Sequence, residues 1–203
     1  NLVNIPFSER IPLSPLHWII ADRDSAITVE PMPDGIHIFE NPVGVLTNNP
    51  PFDFHLYNLQ TYINVTTDPA QNRFSEAYSL SPYSNGMGGI GLPGDFSSAS
   101  RFVKASFVKL NSVFPKTEEG CVSQFFHILS SVAMPKGSVR LRPEEYEITR
   151  YSCCCNTDKG IYYYTTYDNS TICAVDMLRE DLNGATLVSY EMIQSPQILV
   201  QNR

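Results

Sequence analysis

Apolar and polar positions along the chain change period twice, from short alternating runs to helical spacing and back. Residues 1–15 hold three prolines and no regular period, with Phe7, Ile11 and Leu13 spread along them, which reads as an ordered loop. Leu16–Ile20, Ala26–Glu30, Gly35–Phe39 and Val43–Thr47 are β-rich runs separated by Asp, Pro and Gly turns, so they predict a four-stranded antiparallel meander. From Phe52 to Ile63 the apolar residues Phe52, Leu56, Leu59 and Ile63 recur at three- and four-residue spacing, the signature of an amphipathic helix. Asn64–Asn85 is polar and turn-rich, as expected of a surface excursion. The segment Gly86–Phe102 is dense in glycine and then turns into a helical pattern, with Ser97 or Ser98 placed to cap it and Arg101 in its first turn. Ala99–Val113 and Cys121–Val132 predict two packed helices, and Met134–Pro143 breaks the pattern. Thr149–Cys155, Gly160–Tyr167 and Thr171–Met177 predict a second meander, followed by a helical turn over Leu178–Leu182 and a last strand over Thr186–Tyr190. Strands, then helices, then strands predict an α+β layered fold.

The length, 203 residues, suits one domain over 1–203 rather than two independent cores. A net charge of −7 argues against a nucleic-acid or anionic-membrane partner, either of which would favour a basic face. No apolar run is long enough to span a bilayer, and the opening residues lack the pattern of a signal peptide, so a cytoplasmic chain is expected. Cys153, Cys154 and Cys155 are consecutive in a strand-like run whose side chains alternate between faces. That arrangement suits neither a disulfide framework nor a zinc site, and reduced, packed thiols are expected. Asn64 and Asn169 begin glycosylation-like triplets that are discounted for want of a secretory context.

Several motif matches fail on context. Gly86, Gly88 and Gly91 fit G-x-G-x-x-G, but no strand precedes them and Leu92-Pro93-Gly94-Asp95 delays the helix, so pyrophosphate could not meet a helix N-terminus. Ser106 and Lys109 fit S-x-x-K without the companion elements of a serine hydrolase. His17, His37, His55 and His127 are scattered without metal-ligand spacing and read as satisfied core or surface residues. The adjacent pairs Glu118-Glu119 and Glu144-Glu145 read as solvated surface.

More specific are three stretches in order: Gly44-Val45-Leu46-Thr47-Asn48-Asn49-Pro50-Pro51-Phe52, Gly91–Phe102, and Gly160–Tyr167. With Leu16-His17-Trp18 and Phe125–Leu129, they resemble the choloylglycine hydrolase family, the conjugated bile salt hydrolases and penicillin V acylases. The resemblance implies an N-terminal-nucleophile hydrolase, an α/β/β/α sandwich of antiparallel sheets, in which an N-terminal Cys attacks a linear amide with its own α-amino group as base. The sequence begins at Asn1 and holds no counterpart of that Cys segment, so the chain is expected to be the C-terminal portion of such a domain, inactive alone. By the same resemblance Asn48 and Arg101 are catalytic, Asn48 donating to the oxyanion and Arg101 lying close to the nucleophile. Phe7 and Ile11 fall on a loop lining the apolar substrate pocket, and Gly86, Met87 and Gly88 near the leaving amino acid. The implied substrate is a small molecule, a bile acid conjugated to glycine or taurine or else penicillin V; no metal or organic cofactor is implied, and the complete enzyme is expected to be a homotetramer. A non-catalytic chain that binds amphipathic acids is the alternative from another class.

Overall fold

A computed structural model of the chain describes residues 16–202, so the expectations for Phe7 and Ile11 lie outside the described residues. The chain divides into two compact units, one running through Pro93 and including Ser97–Ser106, the other comprising Gly94–Phe96 and everything from Phe107.

In the first unit β1 (Trp18–Ala21), β2 (Ala26–Met32) and β3 (Gly35–Glu40) form an antiparallel sheet in the order β1-β2-β3. Trp18 is paired with Val29 and Val29 with Ile38, so the central strand is covered along both edges, and Thr28, Val29 and Glu30 are buried. The expected fourth strand, Val43–Thr47, does not form. Asn41, itself buried, is the reason: its side-chain oxygen accepts from the Gly44 N–H at 2.7 Å while its amide donates to the Val45 carbonyl at 2.9 Å and to Thr28 Oγ1 at 3.0 Å. The local turn takes groups a ladder would need, and Gly44 supplies its left-handed conformation at φ 59°. The chain then bends through residues 48–50 into α1 (Phe52–Asn58), which is shorter than expected because Leu59–Tyr62 tightens into a 3-10 turn. Phe52, Val43 and Phe102 form the core, with Phe39, Val45, Leu46, Leu56 and Leu59 packed on it. Phe102 comes from α2 (Ser98–Leu110), where the first turn is capped by Ser97, whose Oγ accepts from the Ser100 N–H at 3.3 Å. Ser106, half of the S-x-x-K match, is a buried helix position.

The second unit holds α3 (Glu118–Ser130), which starts before Cys121 because Thr117 caps it by accepting from the Gly120 N–H. Next come a hairpin of β4 (Val139–Arg142) and β5 (Glu145–Glu147), and the sheet β6 (Tyr151–Asn156), β7 (Ile161–Thr166) and β8 (Cys173–Asp176), antiparallel in chain order. The hairpin corrects the expectation that Met134–Pro143 is irregular. Its strands are too short to show alternation, and its turn is closed by Glu144, a non-glycine residue at φ 63°. A 3-10 turn over Met177–Arg179 stands where a helical turn over Leu178–Leu182 was expected, and the expected strand over Thr186–Tyr190 does not form. Glu118 is not the solvated residue expected. It accepts hydrogen bonds from Asn156 Nδ2 at 2.5 Å, from the Tyr163 hydroxyl at 2.9 Å and from the Lys159 ammonium, joining the start of α3 to β6 and β7. The five cysteines are free, and burial pushes the Cys154 thiol up to about 11. Asn169 is 1% exposed, which removes it as a glycosylation acceptor in the folded chain.

Candidate active site

Asn48 lies in the bend before α1, and its main chain is fixed first. Its carbonyl oxygen accepts from the Ser98 hydroxyl at 2.5 Å and from His55 Nε2 at 2.9 Å, filling both lone-pair directions. Thr47 ties the same segment to the start of α2, its hydroxyl donating to the Ser98 carbonyl at 3.2 Å. Glu30 holds the other end of that segment. Pro51 offers α1 no side-chain cap, and instead Glu30 Oε2 accepts from the Phe52 N–H at 2.9 Å while Oε1 lies 3.0 Å from His17 Nδ1. Four short contacts from β2, α1 and α2 therefore determine where Asn48 sits.

The side chain is fixed next. Arg101 Nη2 donates to Asn48 Oδ1 at 2.6 Å. A guanidinium has no acceptor, so this contact settles which end of the amide faces it. The Asn48 Nδ2 group is turned away from Arg101, has no acceptor among the described residues, and belongs to an exposed residue. An amide with its oxygen bonded to a cation, and with no acceptor for its N–H bonds among the described residues, is a polarised donor.

The structure thus brings Asn48 and Arg101 together, 53 positions apart in sequence. Gly86, Met87 and Gly88 stand on a 3-10 turn over Asn85–Gly89, where Gly88 accepts from the Thr66 N–H at 2.9 Å. A Cβ on Gly88 would fall 2.0 Å from the Asp68 carbonyl oxygen, so backbone packing alone requires glycine there. Met87 and Gly88 line a cleft of about 520 Å³ with Thr66, Asp68 and Arg73, and neither Asn48 nor Arg101 is among its lining residues. Among the described residues no three His, Cys, Asp or Glu side chains converge as a metal site requires, and no helix is long and apolar enough to cross a membrane.

Sequence reasoning missed Ser98, His55 and Glu30 as parts of this site. Ser98 was flagged only as an alternative cap, and that role falls to Ser97. His55 carried a faint signal, a polar ring on the first helix after Asn48. Its expected satisfaction is half met, since Nδ1 is buried without a partner.

The model of the linear amide C–N hydrolases, choloylglycine hydrolase family, matches residues 1–190, and the chain belongs to that family. It is 54% identical over 202 residues to a bile salt hydrolase/transferase of Lactiplantibacillus plantarum, covering all of this chain and 62% of the relative. A bile salt hydrolase/transferase of Clostridium perfringens is 40% identical, with 94% of this chain and 58% of the relative covered. The crystal structure of a variant of conjugated bile acid hydrolase from Clostridium perfringens superposes with a TM-score of 0.86 at 39% identity, covering 98% of this chain and 60% of that one. Penicillin V acylase from Agrobacterium tumefaciens shares the fold at a TM-score of 0.54 and 19% identity, over 76% of this chain and 43% of that one. The α+β class and the N-terminal-nucleophile hydrolase fold are borne out by these likenesses. The chain spans about 60% of the length of the curated relatives it matches.

Proposed function

We propose that the chain is the larger, C-terminal portion of one bile salt hydrolase domain, cleaving the amide between a cholate-like acyl group and glycine or taurine. The observation that carries this reading is the Arg101–Asn48 contact, which turns the Asn48 amide N–H groups away from Arg101, with no acceptor for them among the described residues. In the complete enzyme a cysteine thiolate from the preceding segment adds to the amide carbonyl. Negative charge then develops on the carbonyl oxygen, where Asn48 Nδ2 donates to it. Collapse of that adduct breaks the C–N bond, the amine leaves with a proton from the α-ammonium group, and water hydrolyses the thioester to release the bile acid. Arg101 acts through Asn48, whose amide it orients. Phe7 and Ile11 would line the apolar acyl pocket, and Gly86, Met87 and Gly88 the side of the leaving amino acid. The family resemblance supports a homotetramer, which light scattering on the complete enzyme would check.

The test is to join the chain to the upstream segment of its own gene, or to the corresponding segment of the Lactiplantibacillus plantarum relative, and to assay glycocholate, taurocholate and penicillin V side by side. Release of glycine or taurine is expected. A folded protein that cleaves none of the three would overturn the enzymatic reading, and preference for penicillin V would replace the substrate.

A further inference from the structure

The imidazole of His55 is 1% exposed, yet only one of its nitrogens has a strong partner. Nε2 lies 2.9 Å from the Asn48 carbonyl oxygen. A carbonyl cannot donate, so Nε2 carries a hydrogen, and Nδ1 is buried with no partner among the described residues. The ring stacks on Phe102, centroids 4.7 Å apart and planes inclined by 16°, so an apolar ring would fill the same space. A buried polar atom without a partner is unfavourable, and here it accompanies a donor aimed at one oxygen.

We propose that His55 is a positioning residue for the oxyanion donor: its Nε2–H pins the peptide carbonyl of Asn48 so that the same residue's side-chain amide is presented correctly. This rests on the reading of Asn48 given above. The two donors on the Asn48 carbonyl come from different helices, His55 from α1 and Ser98 from α2. With only one of them the peptide plane can rotate about the remaining bond, and the amide moves with it. A donor to the oxyanion gains its strength as charge develops, so its displacement lowers kcat and leaves substrate binding nearly intact.

The enzyme completed with its upstream segment tests this with two variants. His55→Phe keeps the ring packed on Phe102 and removes the N–H, while His55→Gln keeps an N–H at similar reach. His55→Phe is expected to lower kcat on glycocholate by about 10- to 100-fold, the size of effect that small misplacement of a catalytic group produces, with KM and melting temperature close to the parent. His55→Gln is expected to recover most of the loss. A folded His55→Phe variant with kcat within about twofold of the parent overturns the proposal, as does a Gln variant that is equally slow. Nitrogen NMR of labelled histidine in the parent gives a reading that needs no turnover and no folded variant. A protonated, hydrogen-bonded Nε2 with a bare Nδ1 is expected, and the opposite tautomer also overturns the proposal. A parent that shows the expected tautomer but cleaves no amide refutes the functional reading and leaves the contact itself established.

Discussion

If Arg101 works through Asn48, removing both should be no worse than removing Asn48. Arg101→Met keeps a long apolar stem and deletes the guanidinium that donates to Asn48 Oδ1 at 2.6 Å. A hydrogen bond to a charged group is worth about 1.5–3 kcal/mol. Each tenfold in rate corresponds to about 1.4 kcal/mol, so a loss of that size in the transition state lowers kcat by roughly 10- to 150-fold. Asn48→Ala removes the proposed oxyanion donor and should cost about 100-fold or more. In the double variant there is no amide left for Arg101 to orient, and the expected loss matches Asn48→Ala alone to within about threefold. Independent actions would instead multiply to about a thousandfold or more. Initial rates of glycine release from saturating glycocholate, normalised to folded protein by circular dichroism, separate the two cases. Multiplying losses, or an Arg101→Met variant with unchanged kcat, would refute the orientation argument.

Three further outcomes follow from other contacts. Glu30→Met removes the carboxylate that accepts from the Phe52 N–H and leaves that donor buried, so denaturant unfolding should show a loss of about 1–3 kcal/mol. The Glu118 carboxyl is held below its ordinary value, first by its hydrogen bond from Lys159 and then by those from Tyr163 and Asn156. Its ionised form is favoured in the folded state, so the stabilisation is present above the ordinary value of 4.5 and is lost as pH falls through the lower folded value. Melting temperatures of the parent and of Glu118→Gln should therefore differ at neutral pH and converge in acid. Burial keeps Cys154 as a thiol far above neutrality, whereas Cys155 is exposed, so mass-mapped alkylation of the native protein at mild alkaline pH should label Cys155 well before Cys154.

The periodic elements were legible in the sequence because their signals are local. The period at Phe102 and Ala105 marked the buried face of α2, and the Tyr- and Thr-rich runs marked β6 and β7. Side chains that replace backbone partners were not legible. Asn41 turns an apolar run away from strand pairing, which no alternation count registers, and the β4–β5 hairpin depends on Glu144 adopting a conformation more typical of glycine. At the site, Asn48 and Arg101 were reachable only through resemblance, since a turn asparagine and a helix arginine carry no signal of meeting. Ser98, His55 and Glu30 serve Asn48 from separate elements, and their roles exist only once the fold is formed.

Every partner that fixes Asn48 belongs to the first compact unit, whereas the Glu118 contacts with Asn156, Lys159 and Tyr163 belong to the second. On the proposed reading, the groups that set the rate lie in the first unit, and the second unit carries a cluster that acts on stability alone. Substitutions that weaken the Glu118 cluster should reduce how much folded enzyme a cell accumulates while each surviving molecule turns over at its normal rate. Substitutions at Asn48, Arg101 or His55 that keep the packing are expected to produce the reverse, a full complement of slow enzyme, and a screen reading only total activity would confuse the two.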